Sequence, residues 1–396
     1  MFSQIFAERM KHLGTETAFE VLAKAKALER TGKDIIHLEI GEPDFDTPGN
    51  IIESAVTALR DGYTHYTPTP GIHELRGAIA EYVARTRGIP VEPEEVVVTP
   101  GGKPIMFFSI LTLVDPGDEV LLPDPGFPIY ESMVRFVGGI PVPIPLLEEN
   151  DFALDVDRLR ARIGPKTKMI ILNSPQNPTG GVLSKTQLEE IAHLVQGKNI
   201  IVLSDEIYHR IVYEGEAASI ASLPGMKEQT IILDGFSKTY AMTGWRLGYG
   251  VMHPEIAERI TRLMVNSNSC TAAFTQVAGI EALTGPQDAP RDMVEQFRTR
   301  RDVIVEGLNS IPGITCRKPR GAFYVFPNIS ALGVKCELLA DYLLREASVA
   351  VLAGTSFGRY GEGYLRLSYA NSVENIEKAV DRIAQALQRL EKHMAS

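Results

Sequence analysis

Reactive side chains occur in this 396-residue chain at points where short apolar runs end. Lys238 follows the run TIILDGFS, and Asp205 ends the run IIVLSD. Burial lowers the pKa of a lysine, and a neutral lysine amine is a nucleophile that forms Schiff bases with carbonyl groups. A buried aspartate requires a partner, and a cationic heterocycle nitrogen would be one. Taken alone, Lys238 could instead be a surface lysine with a buried stem, and Asp205 a helix cap.

A glycine pair before a predicted helix forms a candidate anion site. In the segment TPGGK, Gly101 and Gly102 would let backbone N–H groups approach a phosphate, and the N-terminus of the next helix adds partial positive charge. A plain strand-to-helix turn is the alternative, and the GxxxxGK[ST] and GxGxxG spacings are absent. Arg246 and Arg366 supply further positive charge, with structural ion pairs as the alternative for each.

Pyridoxal phosphate would account for these residues together. This cofactor needs a phosphate site, an acid that keeps its ring nitrogen protonated, a flat group against the ring, and a lysine. The sequence offers GGK at 101–103, then Phe127 or Tyr208 for the ring face, with Asp205 and Lys238 as the acid and the lysine. The residue types and their order therefore predict a pyridoxal phosphate site.

The ends of parallel strands would bring these residues together. Continuous β-branched runs, typical of strands covered on both faces, occur at 95–99, 118–123, 168–173, 199–205 and 230–234. Helical patterns lie between them, which predicts an α/β fold with a mostly parallel, mixed sheet flanked by helices. In open sheets of this kind, ligands bind beyond the carboxyl ends of the strands.

Changes of pattern along the chain predict three parts. Residues 1–45 would form an N-terminal helix and arm that contribute to the small domain. Residues 46–290 would form the large cofactor-binding domain, and residues 291–396 a smaller α+β C-terminal domain. The formal net charge of −10 disfavours nucleic acid, and more weakly an anionic membrane surface, as the main partner.

The cysteines and the apolar runs bear on the cellular compartment and on the kinds of site that the protein could hold. The three cysteines are an odd number without CxxC spacing, which disfavours a disulfide framework and a metal site. The N-terminus has no signal-peptide pattern, and the longest apolar run, at 104–114, is too short to span a bilayer. The expectation is a cytoplasmic protein without a metal.

Seven ordered motifs carry a resemblance to a known family. They are GEPDFDTP, GGKxxxF, DPGDEV, NSPxNPTG, SDEIY, AMTGWRxGY and GAFYV. On these motifs the chain resembles the class I pyridoxal-phosphate-dependent aminotransferases of fold type I, in the aspartate aminotransferase group. The resemblance covers residues 15–390 and implies amino-group transfer between an amino acid and a 2-oxo acid by ping-pong kinetics.

The resemblance implies roles for residues around the cofactor ring. Lys238 would hold the cofactor covalently, and Asp205 would pair with its ring nitrogen. Tyr208 and Asn177 would hydrogen-bond its ring oxygen.

The resemblance also implies a phosphate site and a partner subunit. The backbone of Gly101, Gly102 and Lys103 would bind the phosphate, and Arg246 would neutralise it. Tyr66 would reach the phosphate of the neighbouring subunit, which implies a homodimer with shared active sites.

Substrate-binding roles follow in the same way. Arg366 would bind the α-carboxylate of the substrate as a two-pronged fork, helped by Asn177 and the backbone of Gly41. Lys103 matches a lysine that binds the distal carboxylate of a dicarboxylic substrate in this group.

Two positions near the cofactor depart from the family pattern. Phe127 stands where tryptophan or tyrosine is usual, so stacking survives but an indole N–H donor does not. Gly235 stands where a phosphate-binding serine is common, and Ser237 is expected to compensate.

The third departure concerns the substrate side chain. Glu16, Thr17 and Ala18 align where aspartate-specific members carry small hydroxyl residues. A carboxylate there would repel a dicarboxylic substrate, whereas Lys103 would attract one. Aspartate with 2-oxoglutarate is the first choice, and an aromatic or prephenate-type aminotransferase is the alternative.

A C–S lyase or synthase on the same fold shares the main residues and is a further alternative. A cofactor-sensing regulator is disfavoured because such proteins usually carry an additional upstream domain.

Overall fold

The computed structural model describes residues 5–215 and 217–395, so residues 1–4 of the predicted arm, Glu216 and Ser396 lie outside the described residues. The strands in chain order are β1 (Ile36–His37), β2 (Val96–Thr99), β3 (Glu119–Asp124), β4 (Ile140–Pro145), β5 (Thr167–Asn173), β6 (Ile201–Asp205), β7 (Thr230–Gly235), β8 (Gly248–Val251), β9 (Tyr324–Val325), β10 (Val349–Ala350), β11 (Leu352–Ala353) and β12 (Leu365–Ser368). The α-helices are α1 (Thr17–Glu29), α2 (Gly49–Arg60), α3 (His73–Arg87), α4 (Lys103–Leu113), α5 (Pro128–Phe136), α6 (Val156–Arg162), α7 (Lys185–Val195), α8 (Pro254–Val265), α9 (Ala273–Thr284), α10 (Asp288–Asn309), α11 (Cys336–Tyr342) and α12 (Val373–Ala395).

A seven-stranded sheet with the order β2-β8-β7-β6-β5-β3-β4 forms the larger part of the core. Within it, β8 is antiparallel to both of its neighbours, and the remaining pairs are parallel. The α/β fold with a mostly parallel, mixed sheet that the sequence predicts is therefore confirmed.

Both faces of this sheet are covered because successive side chains of a strand point to opposite faces. On β5, Met169 and Ile171 pack in one apolar cluster with α4, α5 and α8, whereas Ile170 and Leu172 pack in another with α6 and α7. All four side chains are buried, so β5 reads as a continuous apolar run. Helices α2, α3 and α9 pack against the end of the sheet formed by β2, β8 and β7.

Two strands of this sheet were not predicted, and both have unusual compositions. β4 has the sequence IPVPIP; proline cannot donate to a ladder, which confines such a strand to a sheet edge, where β4 lies. β8 has the sequence GYGV, whose glycines lower strand propensity. Gly248 allows close packing, because a Cβ atom there would collide with the backbone between Gly101 and Gly102.

A smaller sheet and a pair of parallel strands lie in the C-terminal part. The order of the small sheet is β11-β12-β9, and both pairs are antiparallel. β1 pairs with β10 in parallel, so the N-terminal segment after α1 joins this C-terminal part. Helices α10, α11 and α12 pack in the same apolar cluster as β9 and β12. Among residues 5–215 and 217–395, no helix is both long and apolar enough to cross a membrane.

Candidate active site

A cavity of about 540 Å³ lies beyond the carboxyl ends of the parallel strands of the large sheet. Strand β6 ends at Asp205 and β5 ends at Asn173, and both side chains line the cavity. Lys238 follows β7 by three residues and also lines it, and Arg366 comes from β12 of the small sheet. Residues distant in sequence are thus brought together at one edge of the sheet.

Lys238 is partly buried at this edge and points to a backbone carbonyl. Its Nζ donates to the carbonyl oxygen of Gly41 at 2.5 Å. Burial lowers the pKa of Lys238 to about 8, and the positive charges of Lys103, Arg366 and Arg246 lower it further, while Glu42 opposes them. About a tenth of this amine is therefore neutral at pH 7, far more than for a lysine with an ordinary pKa, and the neutral form is the one that acts as a nucleophile or proton carrier.

Asp205 is buried and is held by Tyr130, a residue that the sequence analysis did not single out. Tyr130 on α5 donates its hydroxyl to Asp205 Oδ2 at 2.5 Å, and the backbone N–H of Ile207 donates to Oδ1 at 3.2 Å. Burial raises the pKa of Asp205 to about 6, and the hydrogen bond from Tyr130 acts in the opposite direction. Asp205 is therefore poised to take a cationic partner in the cavity.

The segment before α4 has the geometry of an anion site. Gly101 has φ of +92°, a conformation that favours glycine, and its missing Cβ leaves room for the guanidinium of Arg246. Arg246 donates from Nη1 to the carbonyl of Thr243 at 2.7 Å, which holds its guanidinium beside Gly101. Gly102 is the N-cap residue of α4, whose first N–H groups carry partial positive charge.

Tyr208 and Asn177 also line the cavity. The hydroxyl groups of Tyr208 and Tyr324 are 2.6 Å apart, and Tyr324 comes from the GAFYV motif, although the sequence analysis assigned it no role. The backbone N–H of Asn177 donates to Asn173 Oδ1 at 2.9 Å. The side-chain oxygen of Asn177 is buried and has no hydrogen-bond partner within 5–215 and 217–395. A donor on a bound molecule would satisfy it.

Arg366 is a buried cation with an unused donor. One of its terminal nitrogens donates to the carbonyl of Glu39, and its guanidinium lies 4.7 Å from the ring centre of Tyr324. Its Nε has no partner among the described residues, and burial lowers its pKa. A Cβ atom at Gly41 would collide with the Tyr324 hydroxyl, so glycine keeps this wall of the cavity close-packed. A carboxylate would suit the Arg366 guanidinium.

Lys103 and Glu16 form an ion pair at the mouth of the cavity. Glu16 precedes the first residue of α1, and its carboxylate contacts Lys103 Nζ. The same Nζ lies 5.4 Å from the ring centre of Phe127, which lines the cavity, and 5.9 Å from that of Phe19. Burial lowers the pKa of Lys103, and Arg246 lowers it further.

The remaining predicted residues divide into one that lines the cavity and one that does not. Ser237 is buried and lines it. Tyr66 is 89% exposed and does not line the cavity of its own chain. No group of three or more His, Cys, Asp or Glu residues suited to a metal ion occurs in the part of the chain that the structure describes.

Comparisons with known proteins agree with this geometry. The family model for aminotransferase class I and II matches residues 33–383. An aspartate aminotransferase of Pyrococcus horikoshii is 43% identical over 384 residues, which cover 96% of this chain and 97% of that protein. Aromatic-amino-acid aminotransferase 2 of Thermococcus litoralis is 43% identical over 357 residues, which cover 89% of this chain and 92% of that protein. The structure of Thermus thermophilus aspartate aminotransferase with maleate superposes with a TM-score of 0.92 at 41% identity, covering 96% of this chain and 99% of that one.

Proposed function

Because this chain belongs to the aminotransferase class I and II family, we propose that it transfers the amino group of aspartate to a 2-oxo acid such as 2-oxoglutarate. The observation that carries the proposal is one cavity in which a partly buried lysine, a buried aspartate and a buried arginine converge. These are Lys238, Asp205 and Arg366. Burial lowers the pKa of this lysine to about 8, which suits a nucleophile or a proton carrier.

Pyridoxal 5′-phosphate is the proposed cofactor, and the residues present fit it. The glycine-lined cradle at Gly101 and the buried Asp205 carboxylate, which forms no ion pair within 5–215 and 217–395, are the observations that support the fit. The phosphate would lie against the backbone of Gly101, Gly102 and Lys103 with Arg246 beside it. The ring would lie against Phe127, with Asp205 at its nitrogen, Tyr208 and Asn177 at its oxygen, and Ser237 near the phosphate. When bound, the cofactor supplies an aldehyde carbon for covalent capture of amines and a ring that withdraws electrons.

The chain's own residues would then bind the substrate and move its proton. Arg366 would hold the α-carboxylate, because Nε and the terminal nitrogens can form two parallel hydrogen bonds to it. As a neutral amine, Lys238 would remove the proton from the substrate Cα atom and deliver it to the former aldehyde carbon of the cofactor. Asp205 would keep the ring nitrogen protonated through a charge-assisted hydrogen bond.

The acidic substrate is favoured by Lys103, whose ammonium group can pair with a distal carboxylate at the cavity mouth. A second candidate, an aromatic amino donor, is favoured by the apolar residues Phe19, Leu22 and Phe127 along the same wall and by the pairing of Glu16 with Lys103. The names of the relatives include both activities.

Single-turnover spectroscopy distinguishes these candidates from each other and from a lyase. The purified protein, loaded with pyridoxal 5′-phosphate, is mixed with L-aspartate or L-phenylalanine, and the change in the visible absorbance band is followed. Rapid conversion by aspartate, with stoichiometric oxaloacetate and no ammonia, supports the proposal. Ammonia release without a 2-oxo acid acceptor would indicate a lyase instead, and conversion by phenylalanine alone would select the aromatic candidate.

A homodimer with shared active sites is part of the proposal, since Tyr66 is exposed and absent from its own cavity. Inactive Lys238→Ala subunits mixed with impaired Tyr66→Phe subunits should regain activity, because hybrid dimers contain one site without either change. No regain in verified hybrids would count against sharing.

We propose a small domain formed by residues 1–45 and 291–396 and a large domain formed by residues 46–290. The pairing of β1 with β10 supports this division. The cytoplasmic location stays a prediction from the sequence.

A further inference from the structure

A buried arginine lies behind the candidate active site and pairs with two buried carboxylates. Arg87 is the last residue of α3, and its side chain has no solvent exposure. Its Nε donates to Glu206 Oε2 at 3.0 Å, and its Nη2 donates to Asp234 Oδ2 at 2.5 Å. Both carboxylates are buried, so this is an ionic cluster in the protein interior.

Further hydrogen bonds hold both carboxylates in place. Glu206 accepts from the hydroxyls of Ser204 at 3.0 Å and Ser219 at 2.5 Å. Asp234 Oδ1 accepts from the N–H of Gly235 at 2.7 Å, and its Oδ2 accepts from the hydroxyl of Tyr249 at 3.0 Å. Among the lysine and arginine residues of 5–215 and 217–395, Arg87 is the one that forms an ion pair with each of these carboxylates.

The neighbouring histidine does not add a second cation. His209 lies 3.7 Å from Glu206, and burial together with the charge of Arg87 lowers the pKa of His209 to about 4. It is therefore neutral near pH 7. The two buried carboxylates Glu206 and Asp234 therefore share the guanidinium of Arg87.

The cluster connects directly to the two strands that carry the reactive residues. Glu206 follows Asp205 in sequence, and Asp234 lies on β7, four residues before Lys238. The negative charges of Asp234 and Glu206 raise the pKa of Asp205 beyond the effect of burial. A single cation that contacts both of them therefore reduces the repulsion that Asp205 experiences.

We propose that Arg87 is a positioning residue that, by pairing with Glu206 and Asp234, fixes the ends of β6 and β7 and sets the charge that Asp205 presents to the cofactor ring. This inference rests on the proposed function, because it takes the ring nitrogen as the partner of Asp205. Arg87 contacts neither the cavity nor Asp205, and acts through the two carboxylates.

The test measures cofactor binding to the apoprotein as a function of pH. Pyridoxamine 5′-phosphate is compared with its 1-deaza analogue, which lacks the ring nitrogen, and the ratio of the two dissociation constants is determined by calorimetry. The phosphate of both probes ionises alike and cancels in the ratio. The preference for the natural ring should weaken as the pH falls and Asp205 takes up a proton, and the acid midpoint of this change in the unmodified protein is the reference for the variants. The groups facing this aspartate are Tyr130, Tyr208, Lys238, Glu206 and Asp234.

Two variants should move this midpoint in opposite directions. Arg87→Met removes the cation and should raise the midpoint, whereas the isosteric Asp234→Asn removes an anion and should lower it. We expect each shift to be about one pH unit, a tenfold change in proton affinity. Arg87→Lys, which retains the charge, should restore most of the Arg87→Met shift. Arg301→Met is the control, because Arg301 is also buried and pairs with two half-exposed carboxylates away from the cavity, Glu214 and Asp302.

The outcomes separate failure of this inference from failure of the proposed function. If the unmodified protein binds both probes equally at every pH, Asp205 does not serve the ring nitrogen and the proposed cofactor placement is wrong. If it discriminates, but both variants shift the midpoint in the same direction or not at all, Arg87 has only a structural role. Should Arg87→Met fail to fold, a downward shift in Asp234→Asn supports the inference, and an unchanged midpoint there overturns it.

Discussion

Replacing Glu16 by glutamine tests how the cavity discriminates between substrate side chains. Glu16→Gln keeps the size of the side chain and removes the negative charge that pairs with Lys103. In the unmodified protein, a dicarboxylic substrate must displace the Glu16 carboxylate or tolerate it nearby. The variant should therefore accept aspartate more readily.

The magnitude follows from the exposure of the pair. Two like charges about 4 Å apart interact with about 4 kcal/mol at an effective dielectric constant of about 20. The Lys103 side chain is 48% exposed and that of Glu16 is 18% exposed, so solvent screening reduces the effect. A residual of about 1 kcal/mol is appropriate to such a partly exposed pair, which corresponds to about a fivefold rise in kcat/KM for aspartate.

Steady-state kinetics with aspartate and with phenylalanine provide the assay, with 2-oxoglutarate as the common acceptor. The kcat/KM for phenylalanine should change by less than about twofold, because its side chain carries no charge for Glu16 to repel. Raised ionic strength should reduce the difference between the variant and the unmodified protein, since the interaction is electrostatic. An equal change for both donors, or a loss of aspartate activity, would refute the reasoning, because either result means that Glu16 assists substrate binding.

Three further predictions concern the residues around the proposed cofactor. Lys238→Ala should lose transamination by orders of magnitude, and near-normal turnover in coupled assays would contradict its role. Burial lowers the pKa of Lys238 from 10.5 to about 8, so the unfolded chain binds more protons than the folded protein between these two pH values. Lys238 therefore lowers the free energy of unfolding by its full amount below pH 8, and this effect fades as the pH rises towards 10.5. Apoprotein Lys238→Met should therefore unfold in urea with up to about 3 kcal/mol more stability at pH 7, a gain that shrinks at pH 10; a pH-independent difference would argue against a charged, buried amine. Tyr130→Phe removes a hydrogen bond that lowers the pKa of Asp205, so the acid midpoint of cofactor binding should rise by about one pH unit. An unchanged acid midpoint in calorimetric titrations would show that the Tyr130 hydroxyl does not stabilise the Asp205 carboxylate.

Much of the fold and of the candidate site could be predicted because their signals are local. The β-branched runs that end at Asn173 and Asp205 indicate buried parallel strands without any tertiary information. Gly101 has its unusual φ value at the turn before α4, where glycine marks the turn in the sequence. Since parallel strands end at the same edge, the polar residues after them were expected to meet, and they line one cavity.

Residues whose roles depend on partners from distant elements were not predicted. Tyr130 and Arg87 have no distinctive local signal, and Tyr324 lies in the GAFYV motif but nothing in that motif indicates its partner. Tyr130 reaches Asp205 only because α5 packs across the end of β6, and Arg87 reaches two strands only because α3 ends beside them. The hydrogen-bonding capacity of Asp205 was a clue that a donor must exist, but not which residue supplies it.

The sequence by itself determined the succession of strands and helices and the reactive residue types at the strand ends, because propensity, patterning and turn chemistry act between near neighbours. Tertiary structure decided which of these residues became buried and paired. Placing Glu16 against Lys103, or Arg87 between Glu206 and Asp234, depends on how helices pack on the sheet. Burial then changes the pKa of Lys238 and of Asp205, since the cost of a charge is set by its surroundings rather than by its neighbours in sequence.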